Sequence, residues 1–166
     1  MHRPSVYRLL PLLFAFWVTA TPASADQAPA APSQAALTFV AGFSDAHLAN
    51  MLSRFGQRSP VLASFAQVDA QLTANTLDAA IGEAVAQHGP VWQRNLASAW
   101  MPLLSEEELV SLTNSGAQSP HIDKYLDLRN EAGVAMQASS QELFAEILRN
   151  VIDRSVASLS PTGGWE

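Results

Sequence analysis

From Leu48 to Leu159 the apolar side chains return at steps of three and four residues, and nowhere do they alternate with polar ones for long enough to make a strand. Positions spaced in this way share a face only on an α-helix. The residue supply agrees, being rich in Ala, Leu, Gln and Glu rather than Val, Ile and Thr. The expected fold is all-α, with six or seven helices joined by short connections into a compact antiparallel bundle or stacked helical hairpins. No repeat at a fixed period points to a solenoid. The chain has no cysteine, so stability must come from packing, and thiol catalysis and thiolate metal sites are excluded.

The first 25 residues stand apart. His2, Arg3 and Arg8 precede an apolar run from Leu9 to Val18, and Ala23-Ser24-Ala25 follows before Asp26. The order positive, apolar, small-x-small is that of a secretory signal peptide. The apolar run is about half the ~20 residues that a membrane-spanning helix needs. Cleavage between Ala25 and Asp26 is expected, with a soluble product in the periplasm or outside the cell and no stable membrane insertion afterwards. No cysteine is present to carry a lipid. Removing both arginines leaves 7 basic and 15 acidic residues, a net charge of −8 against −6 for the whole chain. A surface this acidic is a poor partner for nucleic acid or anionic lipid. Residues 26 to 36 mix Ala and Pro without large side chains and read as a flexible leader. A single helical domain is expected over 37 to 160, and a disordered tail over 161 to 166.

Within that domain Leu37, Phe39, Val40 and Phe43 begin a short helical pattern. Ser44 is placed to cap a helix over about 45 to 55 carrying Leu48, Met51, Leu52 and Phe55. Ser59-Pro60 opens another through Val61, Leu62, Phe65, Val68 and Leu72. The period then slips before Leu77, which predicts a restart capped by Asn75 or Asp78. Gly89-Pro90 is expected to end that helix and begin one with Trp92, Leu96 and Ala99, stopping near Trp100. Leu104-Ser105-Glu106-Glu107-Glu108-Leu109 combines a capping box with a hydrophobic staple. Ser119-Pro120 predicts a further start towards Met136, weakened by Gly133. A final helix is expected from a second capping box, Ser139 with Glu142, through Leu143, Phe144, Ile147, Leu148, Val151 and Ile152.

No catalytic, cofactor-binding or metal-binding set can be assembled from this pattern. His47, His88 and His121 fall on different helices, with none four residues from another, so no zinc pair is encoded locally. Ser44, Asp45 and His47 invite a triad, but capping accounts for the first two and no Gly-x-Ser-x-Gly elbow exposes a serine. Glu106, Glu107, Glu108, Asp123 and Asp127 match no calcium loop; Asp123 and Asp127 lie one turn apart beside Lys124 and Arg129, as a solvated face does. Trp92 and Trp100, eight residues apart on one helix, together with Phe144 and Leu148 on the last, are the candidate lining of a groove.

The run Leu104-Ser105-Glu106-Glu107-Glu108-Leu109-Val110-Ser111-Leu112, with Ser119-Pro120 and Lys124-Tyr125-Leu126 after it, resembles the core of the bacterial exported domain-of-unknown-function family 2059 over roughly residues 90 to 155. Gln118 stands where that family has an aromatic pair, and Ile122-Asp123 where it has a glycine. The resemblance implies an all-helical exported domain and carries no functional residue with it.

Three functional readings follow. The first is a soluble, non-enzymatic envelope protein without cofactor, binding a peptide, a protein or an apolar ligand in a groove between helices. It expects a contiguous apolar patch. The second is a hydrolase whose carboxylates or histidines converge from separate helices, which expects a pocket with at least two perturbed titratable groups. The third is a structural protein whose partner is a second copy of itself.

Overall fold

A computed structural model describes residues 31 to 160; the expected signal peptide and tail lie outside them. Six helices account for nearly all of this stretch: α1 (Gln34–Ala41), α2 (Ser44–Gly56), α3 (Pro60–Val68), α4 (Ala70–Trp100), α5 (Glu106–Ser115) and α6 (Ile122–Leu159), with one 3-10 turn, Gly116–Gln118, after α5. No strand occurs among the described residues. The fold is the all-α one that the periodicity demands.

Two long helices organise the domain. α4 has 31 residues and α6 has 38, so α6 is about 57 Å long at 1.5 Å per residue. Asn95 of α4 meets Ser140 of α6, and Glu83 meets Arg154, so the two helices run antiparallel. α2 also lies antiparallel along α4, with Asp45 opposite Gly89 and Gly56 opposite Leu77. α1 is held between α4 and α5, and α3 rests on α4 and α6. The buried centre is Val40, Leu48, Leu52, Leu77, Ile81, Trp92, Leu96, Trp100, Leu109, Ile147 and Val151. Burying a side chain of this kind stabilises the fold by about 1.5–3 kcal/mol before the cost of ordering the chain is counted.

The element boundaries differ from the sequence expectation in six places, each for a physical reason. α1 starts inside the Ala/Pro leader, because Ser33 caps it by accepting from the Ala36 amide and Ala36 itself is fully buried. Ser44 is no cap: it is buried as the first residue of α2, after Phe43. The expected break between Leu72 and Leu77 sits earlier, at Asp69, whose carboxylate accepts from the Leu72 amide at 2.9 Å. Leu72 is exposed, so the true inward face is Thr73, Leu77, Ala80, Ile81 and Ala84, and its period does not slip.

Gly89-Pro90 does not divide α4. Pro90 lies on the exposed side, and Gly89 lacks the Cβ that would crowd a following proline ring, so the helix passes through with one amide fewer. Glycine also suits the close approach of α2, since a Cβ would stand 2.9 Å from an Asp45 carboxylate oxygen and the exposed Asp45 side chain would have to turn aside. The expected break at Ser139 is likewise absent, and the two final helices are one. Ser139 donates back to the Met136 carbonyl, and Ser140 is buried against α4. Ser119 does not cap α6 either; its hydroxyl accepts from the His121 amide in the turn that precedes the helix.

Candidate functional site

Three stripes of side chains, one from each of three helices, enclose a cavity of about 570 Å³. From α2 and the residue before it come Phe43, His47, Met51 and Phe55, at intervals of four. Trp92, Leu96 and Trp100 follow from α4 at the same interval. The facing wall is the middle of α6, from Tyr125 and Arg129 to Ser140 and Phe144. An interval of four on an α-helix gives a nearly straight ridge, which is why three short segments make one continuous lining.

Aromatic rings form the floor. Trp92 and Trp100 are 2 % and 4 % exposed. Trp92 lies 6.0 Å from Phe144, and Phe144 lies 5.4 Å edge-on to Phe55. At the other end Trp100 stacks on Tyr125 at 4.9 Å, and Phe39 meets both edge-on. These separations fall in the range where ring pairs attract beyond simple burial. Phe55 is 45 % exposed at the mouth. Met51 and Met136 add flexible apolar surface.

The polar groups are few and placed with care. The Trp92 indole N–H donates to Nδ1 of His47 at 3.3 Å. Desolvation lowers the His47 pKa from its ordinary value of 6.5. Asn95 donates to the Ser140 hydroxyl at 2.9 Å, pinning α6 to α4 behind the cavity. Arg129, Gln137 and Gln141 stand exposed on the α6 side. Among the described residues no aspartate or glutamate lines the cavity.

Gly133 also lines it, in the middle of a helix, and a Cβ built there meets nothing within 4 Å among the described residues. Ala132 beside it is buried. Small residues at this point of α6 leave space that a larger side chain would fill.

Of the four groove residues expected from the sequence, the structure brings Trp92, Trp100 and Phe144 into this one cavity. Leu148 is not among its lining; it packs partly buried against the core one turn further along α6. The wall from α2 has no counterpart in the sequence reading, nor do Tyr125 and Arg129. The signal for α2 is present as the four-residue spacing of Phe43, His47, Met51 and Phe55, beside the stronger Leu48 and Leu52 face.

The other titratable groups lie apart. His88 borders a small recess beside Ile147 and Val151. His121 is 3.8 Å from Glu108, which is gripped by Lys124 at 2.7 and 2.8 Å. Glu108 also accepts from the Ser105 amide while Ser105 accepts from the Glu108 amide, so the capping box forms as its sequence specifies. Its hydrogen bonds from Lys124 and the Ser105 backbone hold the Glu108 carboxyl below the usual glutamate range. α5 then ends at Gly116, whose φ of +51° favours a residue without a side chain. No group of three His, Asp or Glu side chains able to hold a metal ion occurs among the described residues.

A second depression, of about 610 Å³, is edged by the exposed Glu83–Arg154 pair and lined by alanines and short polar side chains. It offers neither aromatic surface nor buried polar anchors. The aromatic cavity is therefore the candidate site. Among the described residues no helix is long and apolar enough to cross a membrane. In comparisons with known proteins the chain matches no family model, no curated protein and no solved structure.

Proposed function

We propose that this is an exported, non-enzymatic protein of the bacterial envelope that binds an apolar ligand, or the apolar side chains of a peptide, in the cavity between α2, α4 and α6. The observation that carries the reading is the lining itself: about 570 Å³ walled by six aromatic residues with few polar groups among them. Ligand sites in general are concave, of roughly 300–1,000 Å³, mostly apolar, with a small number of convergent polar groups. Export is supported by the order of residues 2 to 25, and by the likeness of residues 104 to 126 to an exported helical family.

The test is titration with N-phenylnaphthylamine, a neutral apolar dye that brightens when it leaves water. Saturable brightening is expected for the purified protein and for Gly133→Ala. It is expected to be lost in Gly133→Trp, whose indole would reach into the cavity from a Cβ that meets nothing within 4 Å among the described residues. Equal brightening in Gly133→Trp would place the dye elsewhere and overturn the reading.

A further inference from the structure

We infer that the ligand is a single-chain amphiphile with a carboxylate head, of the long-chain fatty-acid type, its hydrocarbon against the aromatic floor and its head on Arg129. This rests on the cavity being the binding site, and adds the chemistry of what enters.

Charge distribution is the first ground. The chain carries 15 acidic against 9 basic residues, yet among the described residues no carboxylate lines the cavity and Arg129 is its one lysine or arginine. The net charge of the chain is negative, while the cavity offers an anion a cation and, among the described residues, no carboxylate. The second ground is what Arg129 lacks. Lys124 is engaged by Glu108 and Arg154 by Glu83; among the described residues no carboxylate lies within 4.0 Å of Arg129, nor of Arg54, Arg58, Arg94 and Arg149, but of these only Arg129 lines the cavity. Its Nε donates to the Leu126 carbonyl of its own helix at 3.3 Å, which steadies the side chain and leaves its terminal amino groups to receive a carboxylate in bidentate fashion.

Shape is the third ground. The cation is exposed while the tryptophans at the floor are almost wholly buried, so polarity falls with depth, as it does along an amphiphile. A head on Arg129 keeps most of its hydration while the tail leaves water, which avoids the heavy cost of burying a charge. Met51 and Met136 can repack around a tail without fixed shape.

The experiment follows tryptophan fluorescence on addition of saturated fatty acids of increasing length, the matching primary alcohols, and a peptide with an apolar C-terminal residue. All are kept below micelle-forming concentrations, with the intact protein and Arg129→Gln, Arg129→Lys and Gly133→Trp variants. Fatty acid is expected to bind up to about fivefold tighter than its alcohol, the range of a solvent-exposed charge pair. Affinity should rise up to about fourfold per added methylene. Arg129→Gln should erase the preference for the acid over the alcohol, while Arg129→Lys keeps part of it.

Equal affinity for acid and alcohol in the intact protein overturns the head-group inference while the cavity remains an apolar site. Tighter binding of the peptide than of any fatty acid overturns it in favour of a peptide ligand. Failure of acid, alcohol and peptide alike, or undiminished binding in Gly133→Trp, takes down both the inference and the reading on which it rests.

Discussion

The indole N–H of Trp92 donates to Nδ1 of His47 across the junction of α4 and α2, at 3.3 Å. An indole nitrogen can only donate, so Nδ1 must accept and the proton of the neutral imidazole sits on Nε2. Protonating Nδ1 breaks this bond.

His47 therefore makes the fold sensitive to mild acid. Its folded pKa lies below 6.5 through desolvation, so the unfolded chain takes up a proton first as pH falls. Stability from this residue is complete above pH 6.5 and is lost as pH falls through the lowered folded pKa. Thermal unfolding at intervals between pH 7.5 and 5 is expected to show a falling Tm. The fall should be smaller in His47→Gln, which accepts from Trp92 without titrating. Parallel curves for the two proteins would show that His47 is not responsible.

A separate acid transition belongs to Glu108. Its carboxyl is held below the ordinary value of 4.5 by Lys124 and the Ser105 backbone. The contribution is full above that value and disappears as pH falls through the folded pKa. Glu108→Gln should flatten the stability profile below pH 4.5 and leave the His47 region untouched. Ser105→Ala removes the acceptor for the Glu108 amide and is expected to cost about 1 kcal/mol at neutral pH, measured by urea unfolding.

Trp92 is both floor of the cavity and part of the core, at 2 % exposure. Trp92→Ala should cost about 3–5 kcal/mol. In Trp92→Phe most of the apolar contact survives and the donor to His47 does not, so about 1 kcal/mol is expected from the lost hydrogen bond. Urea midpoints with unchanged slopes would measure both. A loss in Trp92→Phe as large as in Trp92→Ala would contradict this division.

Gly133 presents the opposite case. A methyl group there meets open space, and alanine is a better helix former by about 0.8–1.0 kcal/mol. Gly133→Ala is expected to raise the Tm. A fall in Tm would mean that the residue is needed by the backbone.

The helical class and the α5 capping box were legible because both depend on neighbours within a turn or two. Ser105 and Glu108 find each other whatever the rest of the chain does. Gly89-Pro90 and Ser139 were misread because their local preference to end a helix is overridden by packing: α4 is held by α2 and α6 on both sides of Pro90, and Ser140 is anchored by Asn95. Leu72 misled for a related reason. An apolar residue was counted towards the core face, and it points to solvent.

The cavity was half legible. Trp92, Trp100 and Phe144 could be named because large aromatics on amphipathic helices are few. Leu148 follows Phe144 by four residues and belongs to the same ridge on paper, but it packs partly buried against the core instead of lining the cavity. The α2 wall could not be found, since which helix leans against the tryptophans is a matter of tertiary arrangement. Periodicity records a face and not the partner opposite it.

The bare backbone at position 133 bears on how this protein should be engineered or its variants ranked. Among the described residues no contact asks for glycine there, so a screen that rewards folding alone will accept an alanine and score it as an improvement. Such a winner would have a slightly smaller room between α2, α4 and α6, and the screen would record nothing lost. Only selection for an occupant can tell a sturdier molecule from one whose door has been bricked up.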